Sequence, residues 1–340
     1  LKLFVCEFIS AGGLYRAVLP ATLRAEGERM RDALLHDLLA LHDEADCRSG
    51  HGRLQLFTTL DPRCTVPTIP FDTIPPDADV WQCWQQAIAA ADAVWLIAPE
   101  SDGSLLRLTE LVEQQGKRLL GCPAAGVRLA TSKRQTWQRL QQAGIAAIPT
   151  LTWAQFEPGR YTAVVAKPDD GAGCEDSACF DDHRQLTRWM QGREHSHVLQ
   201  PYQPGLAASM SLLCRAGRAW LLSCNWQKIS LHSDVAAYRR FHYRGSVVNG
   251  AAAHWDVFDA LAQRIAQAMP ELGGYIGVDV IVADDDVWVV EINPRLTTSY
   301  AGLHQAMGCN PAGLLLDFTY NDDFLFPDIK RHPVDISLYD

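Results

Sequence analysis

The chain has 340 residues, 48% hydrophobic and 21% charged, which describes a globular protein of about two or three packed domains. A formal net charge of −10 argues against a nucleic-acid surface, and no run approaches the ~18 apolar residues of a membrane span, so neither is an expected partner. The 10 cysteines form no CxxC pair and no zinc spacing, the usage of a reducing compartment such as the cytoplasm. The opening LKLFVCEFISAGG carries Glu7 inside its apolar stretch and is expected to be a first strand, not a signal peptide.

That strand spans Leu1 to Phe8, and the loop Ser10-Ala11-Gly12-Gly13 follows it. Its amides can hold an anion, which makes Ser10 and Gly12 candidate substrate contacts; a plain turn is the competing reading. Ala21 to Leu41 reads as a helix with Leu34, Leu35, Leu38, Leu39 and Leu41 as its apolar stripe. Arg53 to Thr58 is a strand, a Pro-rich loop runs to Pro76, a helix ends at Ala87–Asp92, and AVWLIA (Ala93 to Ala98) is a buried strand. Pro99 to Ser104 then lies at that strand's carboxyl end, where open α/β sheets bind ligands. A helix (Ser104 to Gln115), a short strand (Lys117 to Gly121) and a Pro/Gly loop to Gly126 complete a parallel α/β domain over 1–126.

Ser132 is a helix N-cap for Lys133 to Ala143, and Gly144 is its stop. Tyr161 to Lys167 is a strand that opens a loop bearing Gly171 and Gly173, and a helix covers Asp181 to Gln191. The strand His197 to Gln200 enters Pro201-Tyr202-Gln203-Pro204-Gly205, a stiff linker that closes a second domain, 127–204. A third, 205–340, begins with a hairpin of Ser209–Arg215 and Arg218–Asn225 around Ala216-Gly217. Lys228 to Asn249 has weak periodicity and reads as a loop holding Arg239, Arg240, His242, Tyr243 and Arg244; either it is a solvated face or it contacts an anionic substrate. An amphipathic helix, Trp255 to Met269, precedes a hairpin, Thr297 begins another helix, and the tail after Pro327 has no legible chemistry.

The hairpin, GVDVIVADDDVWVVEINPR from Gly277 to Arg295, is the most informative stretch. With its turn centred on Asp285, Val278, Val280 and Val282 face Ile292, Val290 and Trp288 on an apolar face. The opposite face pairs Ala283 with Val287, Ile281 with Val289, and Asp279 with Glu291, with Asn293 next along it. Carboxylates opposed across a ladder repel, and such a pair persists when a cation sits between them. Two carboxylates and an amide oxygen, without His or Cys, are hard ligands that suit magnesium, with manganese as the alternative. Arg295 can grip a phosphate or carboxylate. A solvated surface hairpin is the bland alternative. Elsewhere, Lys167 at a strand end before a glycine loop can grip a triphosphate, and Gln200-Pro201-Tyr202 can present its edge to a flat heterocycle. There is no GxSxG, no GxxxxGK[ST] and no Cys–His pair.

In this order the pieces resemble the ATP-grasp superfamily of carboxylate–amine ligases: Lys133, then Lys167 with Gly171 and Gly173, then Gln200 to Gln203, then Asp279, Glu291 and Asn293 with Arg295. CEFISAGG and EINPRLTTSY look more specifically like the tyramine–glutamate ligase group of methanofuran biosynthesis. The resemblance implies an ATP-grasp fold, a parallel α/β domain followed by two α+β subdomains that clamp the nucleotide. It implies ATP held by Lys133, Lys167, Gly171 and Gly173, with adenine at Gln200, Pro201, Tyr202 and Gln203. One magnesium would lie on Asp279 and Glu291, and a second on Glu291 and Asn293. Lys167 and Arg295 would be catalytic, and Arg239, Arg240 and Arg244 would meet a small-molecule acid, with an amine as the second substrate. Two departures stand: Gln200 and Gln203 are not the hinge acid many relatives carry, and Glu175 and Asp176 follow the glycines of the flap. The expected reaction is ATP-dependent amide formation through an acyl phosphate. A small-molecule kinase and a non-catalytic nucleotide-binding module are the alternatives; monomer and homodimer both stay open.

Overall fold

The computed structural model describes residues 1–44, 54–171, 173–174, 176–233, 238–284 and 286–337. Glu175 and Asp285, which figured in the flap and turn above, lie outside them. Strand β1 (Lys2–Glu7) leads to helix α1 (Ala21–Glu44), β2 (Gln55–Leu60), β3 (Phe71–Thr73), α2 (Val80–Ala90), β4 (Ala93–Ile97), α3 (Ser104–Gln114) and β5 (Arg118–Leu119). The five strands form a parallel sheet in the order β3-β2-β1-β4-β5. Side chains of β1 alternate between its faces: Leu3 and Val5 pack with Leu34, Leu35 and Leu38 of α1, whereas Phe4 and Cys6 join Trp84 and Ile88 of α2. The strand order reverses between β1 and β4. Ligands bind at such points in open α/β sheets, and the loops after those two strands diverge here.

Next come α4 (Ala124–Thr131), α5 (Lys133–Gln142), β6 (Val164–Pro168), β7 (Ala178–Phe180), α6 (His183–Met190) and β8 (His197–Pro201). Helix α4 stands where a loop was expected, and the expected division at 126/127 falls inside it. Gly126 explains the miss: a glycine reads as a break, but here a Cβ would stand 2.5 Å from the Glu271 carbonyl oxygen, so it permits close packing inside the helix.

The chain continues through β9 (Leu206–Arg215), β10 (Arg218–Ser233), β11 (Arg239–Val248), α7 (Trp255–Ala268), β12 (Gly274–Ala283), β13 (Asp286–Asn293), α8 (Leu303–Met307), α9 (Pro311–Tyr320) and β14 (Val334–Ser337). A single nine-stranded sheet, ordered β13-β12-β9-β10-β11-β7-β6-β8 with β14 beside β11, runs across the expected division at 204/205. Residues 216 and 217 both take positive φ, the primed turn that the β9–β10 hairpin needs.

The stretch expected as a substrate loop instead contains the paired end of β10 and all of β11. Phe241 and Tyr243 alternate with exposed Arg240, His242 and Arg244, a period of two that places those cations on the outer face. Arg239, half-buried, is committed to Asp181 at 2.6 Å. The tail after Pro327 supplies β14, which pairs Val334 with Val248.

Candidate functional site

Strands β12 and β13 bring the two acids together. Asp279 pairs with Glu291 and Val278 with Ile292 as expected, but a bulge between Asp279 and Val280 shifts the rest of the register. Val280 faces Val289, not Val290; Val282 faces Val287, not Trp288; Ala283 faces Asp286. The extra residue of β13 turns Trp288 out of the core face and sets it opposite Ile281, on the row that carries the acids. Valines 287 and 289 complete the apolar face in its place.

Two lysines converge on Glu291. Lys167, the last-but-one residue of β6, places Nζ 3.0 Å from Glu291 Oε2. Lys133 opens α5, and its Nζ lies 3.6 Å from the same oxygen and 2.7 Å from the Gly171 carbonyl. Both are buried, Lys133 at 6% and Lys167 at 8% exposure. The local sequence explains the placing of Lys133. Ser132 caps the helix by accepting from the Gln135 amide, and its hydroxyl donates to Asp169. Asp169 in turn accepts from the Arg134 amide, so the start of the flap is fastened to the helix that carries Lys133. Among these, Asp169 was missed; its place two residues beyond Lys167, in a turn-forming Asp pair, was the available signal.

Asp279 is held differently. Gln227 Nε2 donates to its Oδ1 at 2.8 Å, and Asn293 Nδ2 to its Oδ2 at 3.2 Å. Gln227 was also missed, because the loop reading of Lys228 to Asn249 hid that β10 continues past it. Burial, and then the charge of Glu291, push the Asp279 carboxyl well above the usual carboxylate range. Burial pushes Glu291 the same way, but Lys167 and Lys133 outweigh it and hold Glu291 below its ordinary value. Burial, opposed by Glu291, lowers Lys133.

A divalent cation fits this donor set. Asp279, Glu291 and Asn293, with Gln227 beside them, offer hard oxygen ligands once the amides turn, and a cation there would relieve the Glu291 repulsion that, after burial, raises the Asp279 carboxyl.

The raised Asp279 has a consequence in the metal-free protein. Between the ordinary carboxylate range and the raised value, the folded chain holds a proton that the unfolded chain has lost, so this residue's contribution to stability falls as pH rises through that window. Asp279→Asn removes the slope. In thermal melts with chelator, the variant is expected to gain about 2 °C or more on the wild type at pH 8 relative to pH 5, and to lose the added stabilisation by Mg2+ with ADP.

The remaining candidates are placed less simply. Arg295 is expected to grip a phosphate or a substrate carboxylate; here its Nε and Nη2 clamp the chain's own Glu100 instead, at 2.9–3.0 Å, in the loop after β4. The linker is the end of β8. Gln200 is buried, and its amide donates to Thr150 Oγ1 at 2.9 Å, so the side chain faces inward, not toward a ribose. Pro201 is half-buried and Tyr202 37% exposed, with the Tyr202 amide bonded to Ala163 O; Gln203 donates to Pro204 O. The Ser10–Gly13 loop already holds an anion, the chain's own Glu7, whose carboxylate accepts from the Ile9 and Ser10 amides at 3.1 and 2.7 Å. Ser10 is 1% exposed, and Gly12, at φ +107, is wedged against Ile74 and Val80. Those two residues therefore build an internally capped turn, in which Glu7 takes the Ser10 amide expected to meet substrate and Gly12 is packed inside.

The model of the ATP-grasp domain family matches residues 130–299, and a pre-ATP-grasp domain model matches residues 54–127. Tyramine–L-glutamate ligases of Methanocaldococcus fervens and Methanocaldococcus jannaschii are each 28% identical to the chain, over 69% of its length and 68% and 65% of theirs. An ATP-grasp superfamily protein from Archaeoglobus fulgidus superposes with a TM-score of 0.68 at 22% identity, covering 99% of this chain and 100% of that one. An L-amino acid ligase from Bacillus licheniformis gives 0.62 at 15%, covering 94% and 74%. Those two likenesses concern the fold.

Proposed function

The chain belongs to the ATP-grasp family, and from that premise we propose that it joins a carboxylic acid to an amine through an acyl phosphate, with release of ADP and phosphate. ATP-grasp enzymes use ATP with Mg2+, and the observation that carries the reading is the convergence of the Lys133 and Lys167 ammoniums on Glu291, opposite Asp279. The sequence relatives suggest L-glutamate as the acid and tyramine as the amine. In this reading Lys133 and Lys167 bind the phosphates, the loop with Gly171 and Gly173 covers them, and Gln200 to Gln203 present backbone to the adenine. Ile281 and Trp288, on the row of the acids, give the nucleotide an apolar wall. The division proposed is an N-terminal domain over 1–126 and two subdomains over 127–204 and 205–340, its first boundary close to where the two family models meet.

Asp279, Glu291 and Asn293 would hold the metal, whose chemistry when bound is to neutralise phosphoryl oxygens and orient the chain of phosphates. A carboxylate oxygen of the acid attacks the γ-phosphorus and ADP leaves. The amine nitrogen then attacks the acyl carbon and phosphate leaves. Lys167 offsets the charge that accumulates on the transferring group; Arg295, clamped by Glu100 and bonded through Nη1 to the Leu296 carbonyl, would act on it through its charge alone. The flap excludes water, which would hydrolyse the acyl phosphate. No side chain need form a covalent bond to substrate.

Incubation with ATP, Mg2+, L-glutamate and tyramine tests this, with ADP and product mass as readouts. ADP together with an amide is expected. ADP without need of an amine would favour a kinase, and no ADP with any acid–amine pair, from folded protein, would count against a ligase.

A further inference from the structure

The loop after β4 reaches across to both other parts of the protein. The Asp102 amide donates to Asp170 at the base of the flap, at 3.2 Å, and Glu100 takes the fork of Arg295. Glu100 and Arg295 are 4% and 12% exposed in their side chains, so this is a buried, bidentate pair. Breaking such a pair from one side leaves an uncompensated buried charge. Displacement of Glu100 by an incoming anion is therefore disfavoured.

Lys133, Lys167 and Arg295 stand among Asp279, Glu291, Glu100 and Asp169, and Arg295 and the two ladder acids feel one another's charge. Arg295 begins two residues beyond Asn293, at the end of the strand that carries Glu291. Asn293 bonds Asp279, so a guanidinium two residues further on, released from Glu100, would bring its charge toward that pair as a built-in cation.

Resting on the ligase reading, we infer that Glu100 is a positioning residue that holds Arg295 off the Asp279–Glu291 pair and so keeps those two carboxylates open to a divalent cation. Loss of its negative charge and release of Arg295 act in the same direction, since both place more positive charge beside the metal ligands.

The test is Mn2+ binding in the presence of ADP, followed by the free-Mn2+ paramagnetic resonance signal, with no turnover required. Glu100→Gln is expected to weaken Mn2+ binding about tenfold, the scale of one added charge at close range in a partly screened site. Glu100→Gln/Arg295→Gln removes both charges and is expected to return the affinity to within about twofold of wild type, the range over which balanced replacement is near neutral. The double variant also carries the test if Glu100→Gln alone fails to fold. Unchanged affinity in Glu100→Gln, or a double variant as weak as the single one, would overturn the inference, the second by making Glu100 act on the metal independently of Arg295. Wild type that takes up no Mn2+ would overturn this inference and the ligase reading together, whereas normal wild-type uptake with either of the other results overturns this inference alone.

Discussion

Glu291→Gln is expected to reduce ADP release by about a thousandfold or more, the cost of removing a principal source of charge stabilisation in phosphoryl transfer. Its Oε2 is the shared partner of Lys167 at 3.0 Å and Lys133 at 3.6 Å, and it stands opposite Asp279 on the ladder. The glutamine keeps the shape and one hydrogen bond, but leaves two buried ammoniums without their carboxylate. Removing one partner of a buried pair costs about 3–5 kcal/mol, so the metal-free variant should also melt at lower temperature. The two effects separate experimentally. A variant whose lost activity returned on cooling or with stabilising salt would owe its defect to folding, and steady-state ADP release measured well below the melting temperature decides between them. Near-wild-type turnover in a folded Glu291→Gln protein would remove Glu291 from the reaction.

The second large effect is expected at Lys167. Lys167→Met keeps an unbranched side chain of similar length in a site that is 8% exposed, and removes only the ammonium. ATP affinity should fall about tenfold or more, and turnover about a hundredfold or more, because in the proposed reading the group would contact the phosphates both before and during transfer. Lys167→Arg should rescue little, since the larger guanidinium has to fit between β6 and Glu291 where the space is set for a point charge. Lys133→Met should affect ATP binding more than turnover, because its ammonium is shared with the Gly171 carbonyl and lies farther from Glu291. Calorimetric ATP binding beside steady-state kinetics distinguishes the two lysines; equal effects on both parameters would make them interchangeable.

Much of this site was legible in the sequence because it is local. The opposition of Asp279 and Glu291 follows from period-two alternation and a short turn, and Ser132 announces the helix that positions Lys133. The same logic failed past Asp279, because one inserted residue in β13 reverses every facing beyond it and leaves no mark in composition. Trp288 was consequently assigned to the core when it stands on the row of the acids. For β11, the alternation of Phe241 and Tyr243 with Arg240, His242 and Arg244 was there to be read as a strand; the density of cations suggested a loop instead. The fate of Arg295 could not be read at all, since Glu100 lies 195 residues away and meets it only through the packing of two domains. Likewise, the glycines behind β1 suggested an anion site, and the anion proved to be Glu7, which approaches so closely that a Cβ at residue 27 would lie 2.7 Å from its carboxylate.

The path of oxygen tests the central claim most directly. With the acid substrate labelled with 18O in its reacting carboxylate, attack of that carboxylate on ATP transfers one oxygen to the phosphate released when the amine closes the amide. The expected result is phosphate carrying one 18O for each amide formed. Amide formation with unlabelled phosphate, or with AMP and pyrophosphate as products, would contradict an acyl phosphate formed at this site.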